Sequence, residues 1–144
     1  MSQHPEVPHL ALLEGSKAGD IDLLVSTFTD DAVMMPPNDT TLYGKEEIRA
    51  WWAEYFQWFQ VGSYVETDHD VTVAGEQAFQ RMSLSIIIVP KRRGARIRDE
   101  IRTLTVWRFD DGAWKVSHHM WNSTNPVGSG TTRYLNKIQQ RKNT

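Results

Sequence analysis

The sequence has no cysteine, which excludes a disulfide framework, a thiolate zinc site and a thiol nucleophile. It has no apolar run near the ~18 residues that a membrane-spanning helix needs. Residues 1–6, Met-Ser-Gln-His-Pro-Glu, show no basic-then-apolar leader, so no signal peptide is expected and a cytoplasmic protein is the default. Net charge is only −2 over 144 residues, so no global field draws nucleic acid or an anionic membrane surface. No internal repeat, low-complexity segment or linker divides the chain. One domain over residues 1–144 is the expectation, with a loose tail at 1–6.

What is present is ordinary globular composition, 40% apolar and 24% charged, with six tryptophans standing out. The chain turns from helical to extended patterning near its middle. A first helix is expected over 7–18, ended by Gly19. Asp20 can cap a second, in which Ile21, Leu24, Val25 and Phe28 form a buried stripe. A short strand over 32–35 stops at Pro36 and Pro37. Gly44 opens a third helix whose Ile48, Trp51, Trp52, Tyr55, Phe56 and Phe59 give the strongest helical periodicity in the chain. Those rings read first as core against a sheet, and some of them as the wall of a pocket.

From residue 64 the pattern is extended. One strand is expected over 64–74, with Val65, Thr67, His69, Val71 and Val73 on one face, and another over 78–90. A hairpin joins 101–109 to 113–123 through Asp110, Asp111 and Gly112, because Asp-Gly accepts the positive φ of a tight hairpin turn. Residues 125–144 read as a loop and a possible last helix. Helices followed by a four-strand antiparallel meander make an α+β fold with helices on one sheet face. A strongly twisted sheet of this kind leaves a cone, whose mouth suits a small molecule.

Two segments carry a resemblance. The first is 28–37, Phe-Thr-Asp-Asp-Ala-Val-Met-Met-Pro-Pro, followed by 44–48, Gly-Lys-Glu-Glu-Ile. The second is 105–116, Thr-Val-Trp-Arg-Phe-Asp-Asp-Gly-Ala-Trp-Lys-Val, followed by 121–123, Trp-Asn-Ser. Together they resemble the SnoaL-like and SgcJ/EcaC-type groups of the nuclear transport factor 2-like superfamily, the cystatin-like cone fold of ketosteroid isomerases and scytalone dehydratase. The resemblance spans nearly the whole chain. It implies a cone of three N-terminal helices on a curved sheet, and commonly a homodimer through the outer sheet face.

The resemblance also implies departures. The catalytic aspartate of ketosteroid isomerases falls at Met35, and a thioether cannot abstract a proton. The partner acid falls near Thr105. Steroid isomerase chemistry is therefore disfavoured. The Arg-bridged acid pair of limonene-epoxide hydrolases has no direct match in Arg98, Asp99 and Arg102.

His118 and His119 are strand neighbours, so they face opposite sides. Laid on the isomerase pattern, His118, Met120 and Asn122 line the cone and His119 faces out; a shift of one residue reverses this. The expected catalytic groups are His118 as acid/base, Asn122 as carbonyl anchor and Asp99 as orienting acid or base. A half-buried, backbone-bonded histidine is the plainer alternative for His118. Met35, Trp52, Tyr55, Phe56, His69, Thr103, Trp107 and Met120 are expected around the ligand. For His69 a packing role among Val65, Val71 and Val73 is the stronger reading. No His-x-His or His-x-x-x-His spacing occurs, so no metal and no other cofactor is expected. The basic residues Lys91, Arg92, Arg93, Arg96 and Arg98 read as a solvated turn. The expected function is a cofactor-independent isomerase, cyclase or dehydratase acting on an apolar carbonyl compound. The alternative is a non-catalytic ligand-binding or assembly module of the same fold.

Overall fold

The structure is a computed structural model that describes residues 4–126. Residues 7–10 turn tightly, with His9 N–H donating to the Val7 carbonyl at 2.8 Å. Helix α1 (Ala11–Ala18) therefore starts later than its composition suggests, and Gly19 ends it at φ 66°. Asp20 caps α2 (Ile21–Ser26) by accepting from Leu23 N–H at 3.0 Å. Strand β1 (Phe28–Met35) and the short β2 (Leu42–Tyr43) lead into α3 (Gly44–Trp58). Four strands follow: β3 (Phe59–Ala74), β4 (Gln77–Pro90), β5 (Ile97–Asp110) and β6 (Ala113–Ser123). The β5–β6 turn places Asp111 and Gly112 at φ 52° and 82°, the conformation that Asp-Gly supplies.

The six strands form one sheet in the order β2-β1-β6-β5-β4-β3. β3 to β6 are the antiparallel meander, and β1 joins β6 in parallel. The sheet is curved, and the architecture is an α+β cone. Its core joins Leu24 and Phe28 to Ile48, Trp52, Phe56, Leu84, Trp107 and Val116. Aromatic rings of α3 spaced three and four residues apart face the sheet, because those positions share one side of a helix.

Breaks of alternation in β6 and β3 decide which side chains enter the cone. In β6 the register slips between Val106 and Trp107: Trp107 pairs with Val116, whereas Val106 pairs with His118. Ser117 is the extra residue, a β-bulge. Trp114 and Val116 are buried before it, and His119 is buried after it. His118, Met120 and Asn122 are consequently exposed on the outer face, which corrects their expected place inside the cone. Met35 moves with them. It pairs with Met120 and is half-buried, whereas Met34, beside His119, is fully buried. In β3 the register slips at 61–63 and again at 66–68. His69 and Val71 thereby share a face with Glu66 rather than with Val65, which is exposed at 63%.

The described part of the expected loose tail is anchored. His4 stacks on Phe109 at 3.9 Å, and the Trp114 indole donates to the Pro5 carbonyl at 2.6 Å. The expected last helix lies outside the described residues. The basic turn after β4 is exposed, as a solvated turn should be, with Arg92 over the Trp58 ring.

Candidate functional site

A cavity of about 90 Å³ opens between α1, α3 and the concave sheet face. Its walls are apolar: Trp51 and Trp52 from α3, and Leu84, Ile86 and Ile88 from β4. Polar groups enter from β5 and β6. Along β5 the alternation is unbroken, so Asp99, Ile101, Thr103 and Thr105 all point inward.

Asp99, Trp52, Tyr55 and Thr103 line the cavity, as the sequence reading placed them. Phe56 and Trp107 do not line it; both are buried in the core behind its wall. His69 lies outside it, in a groove with His9, Val71 and Val73. The sequence reading left His119 as the alternative to His118 and Trp51 among the rings of the pocket wall, and it missed Trp121 and Ser123. One signal was present. Trp114 and Val116 stand at even positions and Trp121 at an odd one, so no regular strand turns all three inward.

At one end of the cavity, the Asp99 carboxylate accepts a hydrogen bond from Ser123 Oγ at 2.5 Å. Ser123 Oγ in turn accepts from Asn125 N–H at 3.1 Å, which fixes it as a donor to the acid. Arg98 and Arg102 point to the opposite face, where they meet Glu100 and Asn122. Tyr55 is buried at this end. Burial first, and the Asp99 charge second, push its phenol well above the usual value near 10. The phenol therefore stays protonated and remains a donor.

At the other end, Thr105 Oγ1 and His119 Nδ1 are 2.9 Å apart. Among the described residues this is the hydroxyl's one partner. The hydroxyl can donate to Nδ1 or accept from Nδ1–H, so the contact holds the ring in either neutral tautomer. Trp121 stacks on the ring with centroids 5.0 Å apart. Burial lowers the His119 pKa from 6.5 to about 4. His119 is thus neutral at pH 7 and only a weak base.

The two ends are separate. Asp99 and Thr105 are six residues apart on one strand, about 20 Å along an extended backbone. Between them Thr103 Oγ1 and Trp52 Nε1 are buried without a hydrogen-bond partner among the described residues. Such orphaned groups cost stability, and in a cavity wall they point to a ligand's polar atoms.

Residues 10–117 match the SnoaL-like domain. The chain belongs to that family. No curated protein matches it. Among solved structures, this SnoaL-like domain is similar to a ketosteroid isomerase-like protein from Erwinia carotovora atroseptica, with 22% identity, a TM-score of 0.72, and coverage of 82% of this chain and 92% of that one. An NTF2-like protein from Cytophaga hutchinsonii shows 20% identity and a TM-score of 0.67, with 80% and 91% covered. A Streptomyces avermitilis protein of the NTF2-like family, provisionally named a dehydratase, shows 19% identity and a TM-score of 0.72, with 81% and 91% covered. At these identities the likeness establishes the fold, and a shared fold does not fix a reaction. Among the described residues, no helix is long and apolar enough to cross a membrane.

Proposed function

We propose that this SnoaL-like domain binds a small, mostly apolar carbonyl compound in the cone and moves a proton on it without a cofactor. The supporting observation is a buried carboxylate, Asp99, oriented by Ser123 beside a phenol that burial keeps protonated. Asp99 takes a proton from the carbon next to the carbonyl. Tyr55 donates to the oxygen on which charge develops. Isomerisation, cyclisation and dehydration share this step. His118 and Asn122, on the outer face, take no part.

The test needs no prior substrate. Carbonyl compounds that raise the melting temperature are incubated with the protein in D₂O, and loss of the α-proton is followed by NMR. Asp99→Asn is expected to keep the melting shift and to lose the exchange. Exchange at the wild-type rate in Asp99→Asn overturns the assignment.

A non-catalytic binding module is the second reading. The small cavity and the separation of Asp99 from His119 favour it, and ligands that shift melting without any exchange would support it. The outer sheet face supports a homodimer in either case. There Phe79, Leu104 and Met120 are 45%, 48% and 44% exposed on adjacent strands, an apolar patch that a second copy can cover.

A further inference from the structure

We propose that His9, Glu66 and His69 form a binding site for a divalent transition-metal ion at the rim of the cone. This goes beyond the proton-transfer reading and does not depend on it.

The three residues come from distant parts of the chain. His9 sits in the turn before α1, and Glu66 and His69 sit on the edge strand β3. Residues three apart on a regular strand face opposite ways. The register slip between Glu66 and Asp68 removes that opposition and turns both side chains to the same face. Bulges are common next to functional sites because they re-aim side chains.

One ligand atom from each residue lies within 4.8 Å of the other two. His9 Nε2 is 3.2 Å from Glu66 Oε2, and His69 Nδ1 is 3.6 Å from Glu66 Oε1. Ligands at about 2.0–2.2 Å from a zinc ion stand roughly 3.3 Å from one another in a tetrahedron. The observed spacings are close to that edge. The imidazole centroids are 4.0 Å apart and nearly parallel. Binding has to splay them, which a χ2 rotation of each ring accomplishes without moving backbone. The second nitrogen of His69, Nε2, is buried without a hydrogen-bond partner among the described residues, so no competing bond holds the ring in its present orientation.

The site is also held from behind. Gln80, 1% exposed, donates from Nε2 to the His9 carbonyl at 3.1 Å. The Trp107 indole donates to Gln80 Oε1 at 2.9 Å, which fixes the amide's orientation. This chain ties His9 to the core. Two imidazoles and one carboxylate suit zinc, iron(II) or manganese(II), and three protein ligands leave positions open for water or a ligand. His9 borders both the cavity and the outer groove, so an exogenous ligand can reach the metal from either side.

The test uses the full chain freed of metal by a chelator. Zinc is titrated calorimetrically, and cobalt(II) is followed by its visible ligand-field bands. One zinc per chain is expected, with cobalt bands of a four- or five-coordinate ion. His69→Ala and the near-isosteric Glu66→Gln are each expected to weaken binding roughly 100-fold. His4→Ala, across the groove, is expected to change nothing. Melting curves without metal show whether each variant is folded, and Glu66→Gln carries the test if His69→Ala is not. No saturable binding below about 1 mM zinc overturns the proposal. Wild-type affinity in folded Glu66→Gln, or an equal loss in His4→Ala, overturns it too.

Discussion

Ser117 Oγ donates to the Val106 carbonyl at 3.2 Å. That bond closes the bulge at which β6 changes faces. Removing Ser117 makes Val116 and His118 consecutive opposite Trp107 and Val106, so the ladder runs regularly and His119 and Trp121 keep their inward face. Deletion of Ser117 is therefore expected to leave a cooperative urea-unfolding transition, because no side chain after it changes sides. Ser117→Ala removes the bond alone and is expected to cost about 1 kcal/mol.

His119 makes stability depend on pH. Its folded pKa is about 4 against 6.5 for the free side chain. Between those values the unfolded chain takes up a proton that the folded chain refuses. Stability therefore falls as the pH drops from 6.5 towards 4, by about 3 kcal/mol, and this contribution levels off below. His119→Gln is expected to flatten that part of the profile. Chemical denaturation at pH 7, 5.5 and 4.5, compared between the two proteins, checks it.

Thr103 Oγ1 is buried without a partner among the described residues. Thr103→Val keeps the shape and removes the orphan. It is expected to stabilise the ligand-free protein by about 1 kcal/mol. Any carbonyl compound that melting screens identify should bind the variant less tightly, which a paired thermal-shift series measures.

Gln80 satisfies two neighbours at once, the Trp107 indole and the His9 carbonyl. Gln80→Leu leaves both buried groups unpaired. The expected cost is about 2–6 kcal/mol at ~1–3 per group. Faster amide exchange at residues 9–12 is expected with it, since the tie between the turn before α1 and the core is lost.

The homodimer reading places Leu104 and Met120 in the contact. They pair across β5 and β6 on the outer face. Leu104→Arg is expected to leave the fold intact and give a monomer in sedimentation experiments. A wild-type chain that is already monomeric at high concentration removes that reading.

Much of the architecture was legible because it rests on local pattern. The 3.6-residue spacing of Ile48, Trp52, Tyr55 and Phe56 marked the helix that roofs the cavity. Strict alternation placed Asp99 with Thr103 and Thr105 on one face of β5. The inner face of β6 was not legible by the same rule, because one extra residue reverses every position after it. The His9–Glu66–His69 group escaped for a related reason. Its ligands follow no local spacing, and a slip in β3 was needed to bring two of them together.

Those irregularities in β3 have another effect. This sixteen-residue strand forms an outer border of the sheet, and a long flat border is a template for strand addition between molecules. Slips at 61–63 and 66–68 break its ladder into short lengths. A straight incoming peptide cannot stay in register across them. The distortion that gathers Glu66 and His69 thus also guards the chain against fibril-like growth.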